Sequence, residues 1–284
     1  MTTTAFELEN PSLWRLLLHV DERELTAAFV NTAEDSSLRV LRVSLPDGPT
    51  LVALEEAVYS HPVLLSDFRR VDVVLRSHSF SLLPGVMTGG DVEALAGALR
   101  PADGPEGDTD FFVDRIDAGS EGLQNVWTYP EASVLHFLAR SFNSPKFHHH
   151  LSPLLKFYGR SSEQGNSGKL YVSMHTSVSG GERGEMDIVA FGHGGRLEMA
   201  NSIAFESMDD ATYYILASAE ATGMNVTSDE IFLGGDSRLR SALQTPLRRF
   251  ASYVLPQVFP AAALRMGASA QELPFPLIII PICE

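Results

Sequence analysis

The stretch Glu230-Ile231-Phe232-Leu233-Gly234-Gly235-Asp236 decides the fold, because it closes the second copy of a pattern that occurs twice. Residues 169–235 carry the hydrophobic patterns of strand, strand, strand, helix and strand, in that order. Residues 13–87 carry the same series. In the second copy, the last strand runs directly into paired glycines. The sequence therefore predicts a duplicated β-β-β-α-β unit, with antiparallel pairing among the first three strands of each copy.

The boundaries of these elements follow from hydrophobic periodicity and from turn residues. In the first copy we predict strands at residues 13–20, 25–30, 38–45 and 71–75, and a helix at 50–59. In the second copy we predict strands at 169–176, 186–191, 196–205 and 229–233, and a helix at 207–222. Outside the copies we predict helices at 90–99, 130–142 and 145–158, helical segments up to about residue 265, and strands at 124–128 and 275–283.

A duplicated unit of this kind points to an α/β protein of the actin-like ATPase (ribonuclease H-like) fold, which is a two-lobed nucleotide-binding architecture. We place the first lobe at residues 1–128, a helical connector and linker at 129–168, and the second lobe at 169–284. Fold alone does not determine function, so binding and hydrolysis of nucleotide have to be judged from individual residues.

Composition limits the class of protein and its partners. The 284 residues are 44% apolar and 20% charged, which is typical of a globular protein, and the net charge is −15. Such a charge disfavours binding to nucleic acid or anionic lipid. One cysteine, Cys283, excludes an internal disulfide, and we expect it to be a buried, inert thiol. With no signal peptide and no membrane-spanning run, we expect a cytoplasmic protein.

Several further stretches resemble a bacterial family of unknown function whose members adopt an actin-like ATPase fold. The matching stretches are residues 80–84, 124–127, 200–214 and 231–235 and the closing Ile282-Cys283-Glu284. Residues 201–214 are the most specific of these, and the resemblance covers nearly the whole chain. The resemblance implies a fold, and since the family has no established activity, it supplies no catalytic residues.

The same resemblance shows where an ATPase site would lie. Actin-like ATPases generally place an Asp and a phosphate-approaching Gly in a hairpin of each lobe. Here the first hairpin is Asp21-Glu22-Arg23, with an acid but no glycine, and the second is Met174-His175-Thr176, with no acid. Mg²⁺ prefers carboxylate and phosphate oxygens, so we expect impaired hydrolysis and no catalytic or metal site.

The paired glycines are the better candidate for ligand binding. In the actin-like fold the corresponding strand end contacts adenosine, so we predict cofactor-binding residues at Gly234, Gly235, Asp236 and Asp21. No cofactor is expected to be required, although ATP with Mg²⁺ is compatible with these residues. The alternative is that the glycines serve only a strand-to-helix turn that needs positive φ.

The run Phe147-His148-His149-His150 has the composition of a metal site but not the geometry. We place it in a helix, where consecutive side chains point about 100° apart and cannot face one ion. The other histidines lack ligand spacing, so no metal is predicted.

These observations favour a non-hydrolysing binding or assembly module with a protein partner and residual nucleotide affinity. Two alternatives stay open. One is an ATP-dependent phosphotransferase of the sugar-kinase type, with Asp21 or Asp72 as the general base. The other is a structural partner of an envelope or secretion apparatus. The missing acid favours a protein that is not an enzyme.

Overall fold

A computed structural model describes residues 8–31, 38–85, 92–102, 107–118, 122–176 and 183–283. Within these ranges the strands are β1 (Trp14–Val20), β2 (Glu24–Asn31), β3 (Leu38–Ser44), β4 (Arg70–Leu75), β5 (Phe80–Pro84), β6 (Phe112–Asp117), β7 (Leu123–Thr128), β8 (Lys146–His149), β9 (Lys169–Thr176), β10 (Gly184–Phe191), β11 (Leu197–Phe205), β12 (Glu230–Gly235) and β13 (Tyr253–Pro256). The helices are α1 (Leu51–Tyr59), α2 (Val92–Leu99), α3 (Ala132–Ser141), α4 (Leu151–Ser162), α5 (Met208–Ala221), α6 (Ser237–Leu247), α7 (Ala261–Leu264) and α8 (Phe275–Ile279).

The chain divides into two compact units that we describe separately. The first unit contains residues 1–115, 125–153 and 260–284, and the second contains residues 116–124 and 154–259. The predicted lobe boundaries at residues 128 and 168 stay a prediction.

The sheet of the first unit has the order β3-β2-β1-β4-β8. β1, β2 and β3 pair as antiparallel neighbours, and β4 lies parallel to β1. All seven residues of β1 are buried, as its largely apolar sequence predicts for a central strand, and the buried residues include Arg15 and His19. α1 begins after Thr50, whose hydroxyl accepts the N–H of Ala53 at 3.3 Å, and packs against this sheet.

The sheet of the second unit repeats this arrangement in the order β11-β10-β9-β12-β13. Again the first three strands of the copy are antiparallel neighbours, and β12 lies parallel to β9. α5 begins at a cap formed by Ser207 and is followed by Gly223 at φ +69°. The predicted duplication and the predicted pairing within each copy are therefore confirmed.

A third, smaller sheet has the order β5-β7-β6. Only β7 was expected from the sequence. Beneath α2, the side chains of Trp127 and Tyr129 form a small buried cluster with Ala96. Residues 90 and 91 of the predicted second helix lie outside the described residues.

The prediction of one helix over residues 145–158 is wrong in its first half. Lys146–His149 form β8, which extends the sheet by pairing in parallel with β4, and α4 begins only at Leu151. β8 forms backbone hydrogen bonds with the outer edge of β4. If these residues were helical, the N–H and C=O groups on that edge of β4 would have no strand to pair with. Phe147, His148 and His149 are consequently extended, with side chains that alternate between two faces, and His150 lies in the turn before α4.

Two assignments near the C-terminus are also wrong. Residues 275–283 were predicted as a buried strand, yet Phe275–Ile279 form α8, with Pro276 in its first turn, where proline is tolerated. The burial itself is as expected, because α8 packs on β1 and Cys283 is a buried free thiol. Within the region predicted to be helical up to residue 265, β13 extends the second sheet beside β12. No helix among the described residues is long and apolar enough to cross a membrane.

Candidate functional site

The paired glycines lie at the carboxyl end of β12, in the second unit. Gly234 is opposite Ser173 and Gly235 is opposite Met174 in the parallel ladder with β9. Gly235 has φ +78°, and a Cβ there would overlap the backbone carbonyl of Met174. A Cβ on Gly234 would overlap the side-chain oxygen of Gln257. Left-handed backbone and backbone packing therefore explain Gly235 without a ligand, whereas the neighbour of Gly234 is the end of a flexible side chain that can shift. Nucleotide binding at both glycines stays a prediction.

Asp236 has a structural role at the start of α6. Its N–H donates to the carbonyl of Met174 at 2.8 Å, which continues the ladder beyond β12. Its carboxylate accepts the N–H groups of Arg238 at 2.9 Å and Leu239 at 3.0 Å, so it caps the helix. An anionic cap already occupies the N–H groups that a phosphate would use at this helix start.

Asp21 belongs to the first unit, whereas Gly234, Gly235 and Asp236 belong to the second. It follows β1 in a tight turn, where its N–H donates to the carbonyl of Glu24 at 3.1 Å. Its Oδ1 accepts the N–H of Glu22 at 2.6 Å. The carboxylate thus stabilises the turn that leads from β1 to β2.

The strand registers identify which residue of the second unit corresponds to Asp21. Val20 is opposite Leu75 between β1 and β4, and Met174 is opposite Gly235 between β9 and β12. The residues that follow, Asp21 and His175, therefore occupy equivalent places in the two sheets. The register supports the predicted correspondence of Asp21 with Met174-His175-Thr176, although these three residues lie at the end of β9 rather than in a turn.

An acidic side chain on the neighbouring strand, Asp187, lies beside His175. Asp187 on β10 is only 2% exposed, and its Oδ2 lies 2.8 Å from Nε2 of His175. The hydroxyl of Ser202 on β11 donates to Oδ1 of the same carboxylate at 2.7 Å. Sequence reasoning missed Asp187, although a single acid within the apolar run of residues 186–191 is a signal that could have indicated it.

This Asp187 cluster, formed by His175, Asp187 and Ser202, is suited to binding rather than to nucleophilic catalysis. In a catalytic triad the histidine lies between the serine and the acid, so that it can take the serine proton. Here both His175 and Ser202 bond to the acid. Each carboxylate oxygen of Asp187 is hydrogen-bonded, which makes it a poor ligand for Mg²⁺. The imidazole of His175 is one-third exposed and is held in a fixed orientation.

A buried ionic network lies in the first unit, centred on Asp72 of β4, which is fully buried. Its carboxylate accepts bonds from Nε of Arg15 at 2.7 Å and Nη2 of Arg70 at 2.9 Å. Nε2 of His148 lies 3.1 Å from Asp72, and its Nδ1 lies 2.9 Å from the carboxylate of Asp114. Both ring nitrogens therefore face carboxylates, an arrangement that favours the doubly protonated imidazolium.

The network shifts the acidity of its members in opposite directions. Burial raises the pKa of Asp72, but hydrogen bonds from His148 and Arg15 and the charges of Arg15 and Arg70 outweigh it and hold this pKa far below 3.8. Burial lowers the pKa of His148, but bonding to Asp114 and Asp72 outweighs it and raises this pKa above 6.5. Asp72 is thus a weak base with no exposure, which disfavours it as a general base.

The raised pKa of His148 predicts how the stability of the first unit depends on pH. The stabilisation from protonated His148 should be complete below pH 6.5 and should be lost as the pH rises through the folded-state pKa. The contribution of Asp72 should be present above pH 3.8 and lost as the pH falls. We expect His148→Gln to remove the loss of stability on the alkaline side. The free energy of unfolding in urea, measured from about pH 5 to about pH 9, tests this.

His136→Gln provides a matched control, because the side chain of His136 is 61% exposed although it also contacts a carboxylate. This control should keep the alkaline dependence of the parent protein. An unchanged dependence in His148→Gln would contradict the assignment.

Comparison with known proteins places this geometry in context. Residues 3–254 match the profile of a family described as a protein of unknown function, DUF3822. No curated protein matches the chain. Among solved structures, a protein from Bacteroides thetaiotaomicron, described as having an actin-like ATPase fold and unknown function, is similar with a TM-score of 0.75 and 17% identity. The match covers 96% of this chain and 99% of that one.

A second similar structure is the PilM–PilN type IV pilus biogenesis complex, with a TM-score of 0.53 and 15% identity. It covers 95% of this chain and 94% of the matched one. These likenesses show the fold, which is the actin-like ATPase fold predicted from the sequence.

Proposed function

The chain belongs to the DUF3822 family of unknown function, and because the family supplies no activity, we propose from its own residues that it is a non-hydrolysing binding or assembly module with a protein partner. One observation carries this proposal. The place that corresponds to Asp21 in the second unit is taken by His175, and Asp187, the acid bonded to its imidazole, has both carboxylate oxygens engaged. An imidazole and a carboxylate whose two oxygens are already hydrogen-bonded are poor ligands for Mg²⁺, so they would direct the ion poorly for hydrolysis.

Residual nucleotide affinity is part of this proposal. In the second unit Gly234, Gly235 and Asp236 would contact the nucleotide, and ATP with Mg²⁺ is the ligand to test. These residues also have structural roles in the strand-to-helix turn, so nucleotide binding would be a second role for them. A cytoplasmic location fits the proposal.

A partner protein, rather than nucleic acid, is favoured by the net charge of −15. The similar PilM–PilN structure is described as a pilus biogenesis complex, which supports an assembly role, including the envelope or secretion alternative. The phosphotransferase alternative had two candidate general bases, Asp21 and Asp72. Asp72 is buried and ion-paired, so it is unsuited to that role and the alternative is weakened. Only Asp21 then remains for that reaction.

We expect no ATPase activity from the purified protein. With both oxygens of Asp187 already bonded, no phosphate release above that of a heat-denatured sample should occur when ATP and Mg²⁺ are present. Turnover near the enzyme median of about 10 s⁻¹ would overturn the non-hydrolysing assignment. Calorimetry with ATP, with and without Mg²⁺, separately measures the residual affinity.

A further inference from the structure

A cluster of cationic and aromatic side chains lies along α6 and at the start of β13, in the second unit. Residues 236–257 contain four arginines, no lysine and one acid, Asp236, although the chain as a whole has a net charge of −15. The members of this arginine patch are Arg238, Arg240, Arg248, Arg249, Phe250 and Tyr253. Its charge is opposite to that of the protein that carries it.

The orientation of α6 explains why these groups reach solvent. Leu239, Leu243 and Leu247 recur at four-residue spacing and are buried in the core of the second unit. The opposite face is therefore left to solvent. Beyond α6, the side chains of Phe250 and Tyr253 are 56% and 51% exposed. Large aromatic side chains beside arginines are the residues that dominate protein–protein interfaces.

The acid at the start of α6 and the acid opposite Tyr253 both have other partners. Asp236 caps α6, and Glu230, which is opposite Tyr253 in the ladder, accepts the hydroxyl of Ser167 at 3.1 Å. Among the described residues, no carboxylate oxygen lies within 4.0 Å of the guanidinium of Arg240 or Arg249. The charge of these two arginines is therefore available to a partner.

The edge of β13 indicates how such a partner would be recognised. β13 is the last strand of its sheet, but Pro256 has no N–H to offer to an added strand. Nη2 of Arg248 lies 3.5 Å from the carbonyl oxygen of Val254, where an added strand would compete for the same acceptor. Recognition by strand addition is thus disfavoured, and side-chain contacts remain.

From these observations, we propose that the arginine patch is the docking surface for an acidic segment of a partner protein. This inference rests on the proposed assembly role and names the chemistry of its partner. A short segment with a few carboxylates would pair with the arginines and place apolar groups on Phe250 and Tyr253. A long polyanion or an anionic membrane would extend beyond the patch and would be repelled by the net negative charge of the rest of the chain.

Three synthetic peptides of about 20 residues, a length comparable to one side of a typical interface, provide the test. They share the same apolar positions and carry Glu, Ser or Lys at the others. Fluorescence anisotropy should show that the full chain binds the Glu peptide and neither of the other two. Arg240→Glu/Arg249→Glu should weaken this binding at least tenfold. Phe250→Ser/Tyr253→Ser should also weaken it at least tenfold, because the aromatics supply the apolar contact.

Arg160→Glu is the matched control, because Arg160 is exposed in the same unit but lies on α4. Tyr158 of that helix stacks on Tyr171, which faces away from the core that contains α6. The control should bind the Glu peptide as the parent does. Circular dichroism of each variant verifies that it is folded.

Several results would overturn the proposal. They are failure of the Glu peptide to bind, equal weakening by the control, and binding that does not change when both aromatics are replaced. Preferential binding to phosphatidylserine vesicles would show that the arginine patch binds a membrane rather than a protein. Self-association of the parent protein that is lost in Arg240→Glu/Arg249→Glu would show that the patch binds a second copy of this chain. ATP hydrolysis would overturn the proposed function without altering the peptide result, so the two failures are distinguishable.

Discussion

Replacing Asp72 with alanine should destabilise the protein by about 3–5 kcal/mol, the usual effect of removing one partner from a buried ion pair. The carboxylate is fully buried and bonds to Arg15, Arg70 and His148. Its loss leaves the guanidinium of Arg15, only 7% exposed, without its buried counter-charge. Since a domain is stable by about 5–15 kcal/mol in total, this is a large fraction. Urea denaturation of the purified variant measures it.

Arg70→Ala is the matched comparison for Asp72→Ala. The side chain of Arg70 is 37% exposed, so solvent screens its pairing and the expected cost is at most about 1 kcal/mol. A double-mutant cycle between Arg15 and Asp72 then isolates the coupling of the buried pair. An Asp72→Ala protein as stable as Arg70→Ala would show that Asp72 does not hold the network together.

Replacing Gly235 with valine should both destabilise the second unit and abolish any nucleotide binding at the strand end. A left-handed conformation costs an L-residue about 1–2 kcal/mol, and here the added Cβ also overlaps the backbone of Met174. Urea denaturation and calorimetry with ATP measure the two effects. Lost affinity locates the ligand only if a thermal melt shows that the variant is still folded. Unchanged affinity in the folded variant would place the ligand elsewhere.

Gly223 separates backbone strain from the steric overlap. It has φ +69°, yet a Cβ there would meet nothing within 4 Å. Gly223→Ala should therefore show the cost of strain alone, and Gly235→Ala should cost clearly more. Equal costs would mean that the contact with Met174 does not determine the identity of residue 235.

The duplicated strands were predictable because their side chains follow a clear pattern. β1 is apolar apart from Arg15 and His19, β9 has Leu170, Val172 and Met174 on one face, and Thr50 and Ser207 are recognisable helix caps. A pattern of this kind shows which residues are buried, and in these elements the spacing of the buried residues matches that of a strand or a helix. The fold could consequently be inferred from the sequence alone.

The short strands were not predictable for a different reason. β8 contains Lys146 and His148, whose polar side chains give no apolar period, although His148 is buried in an ion network. β13 has only four residues and depends on the edge of β12 for its pairing. Such strands are specified by a neighbour that lies far away in the sequence.

The same limitation applies to the candidate site. The paired glycines are recognisable in the sequence as the end of a strand, but the packing of Gly235 against Met174 follows from strand register. His175 and Asp187 lie in different strands, and only antiparallel pairing of β9 with β10 brings them together. Tertiary contacts of this kind leave little trace in a single sequence.

The packing of α8 on β1 has a consequence for synthesis on the ribosome. β1 is among the first described strands to be translated, whereas α8, in residues 260–284 of the same unit, is among the last. At about 5–20 residues per second, β1 waits on the order of 10 s to a minute for this partner. All residues of the second unit emerge before α8. Until α8 emerges, one face of β1 lacks its helix in the nascent chain, although β2, β4 and α1 are already translated, and the second unit can fold before this packing is complete.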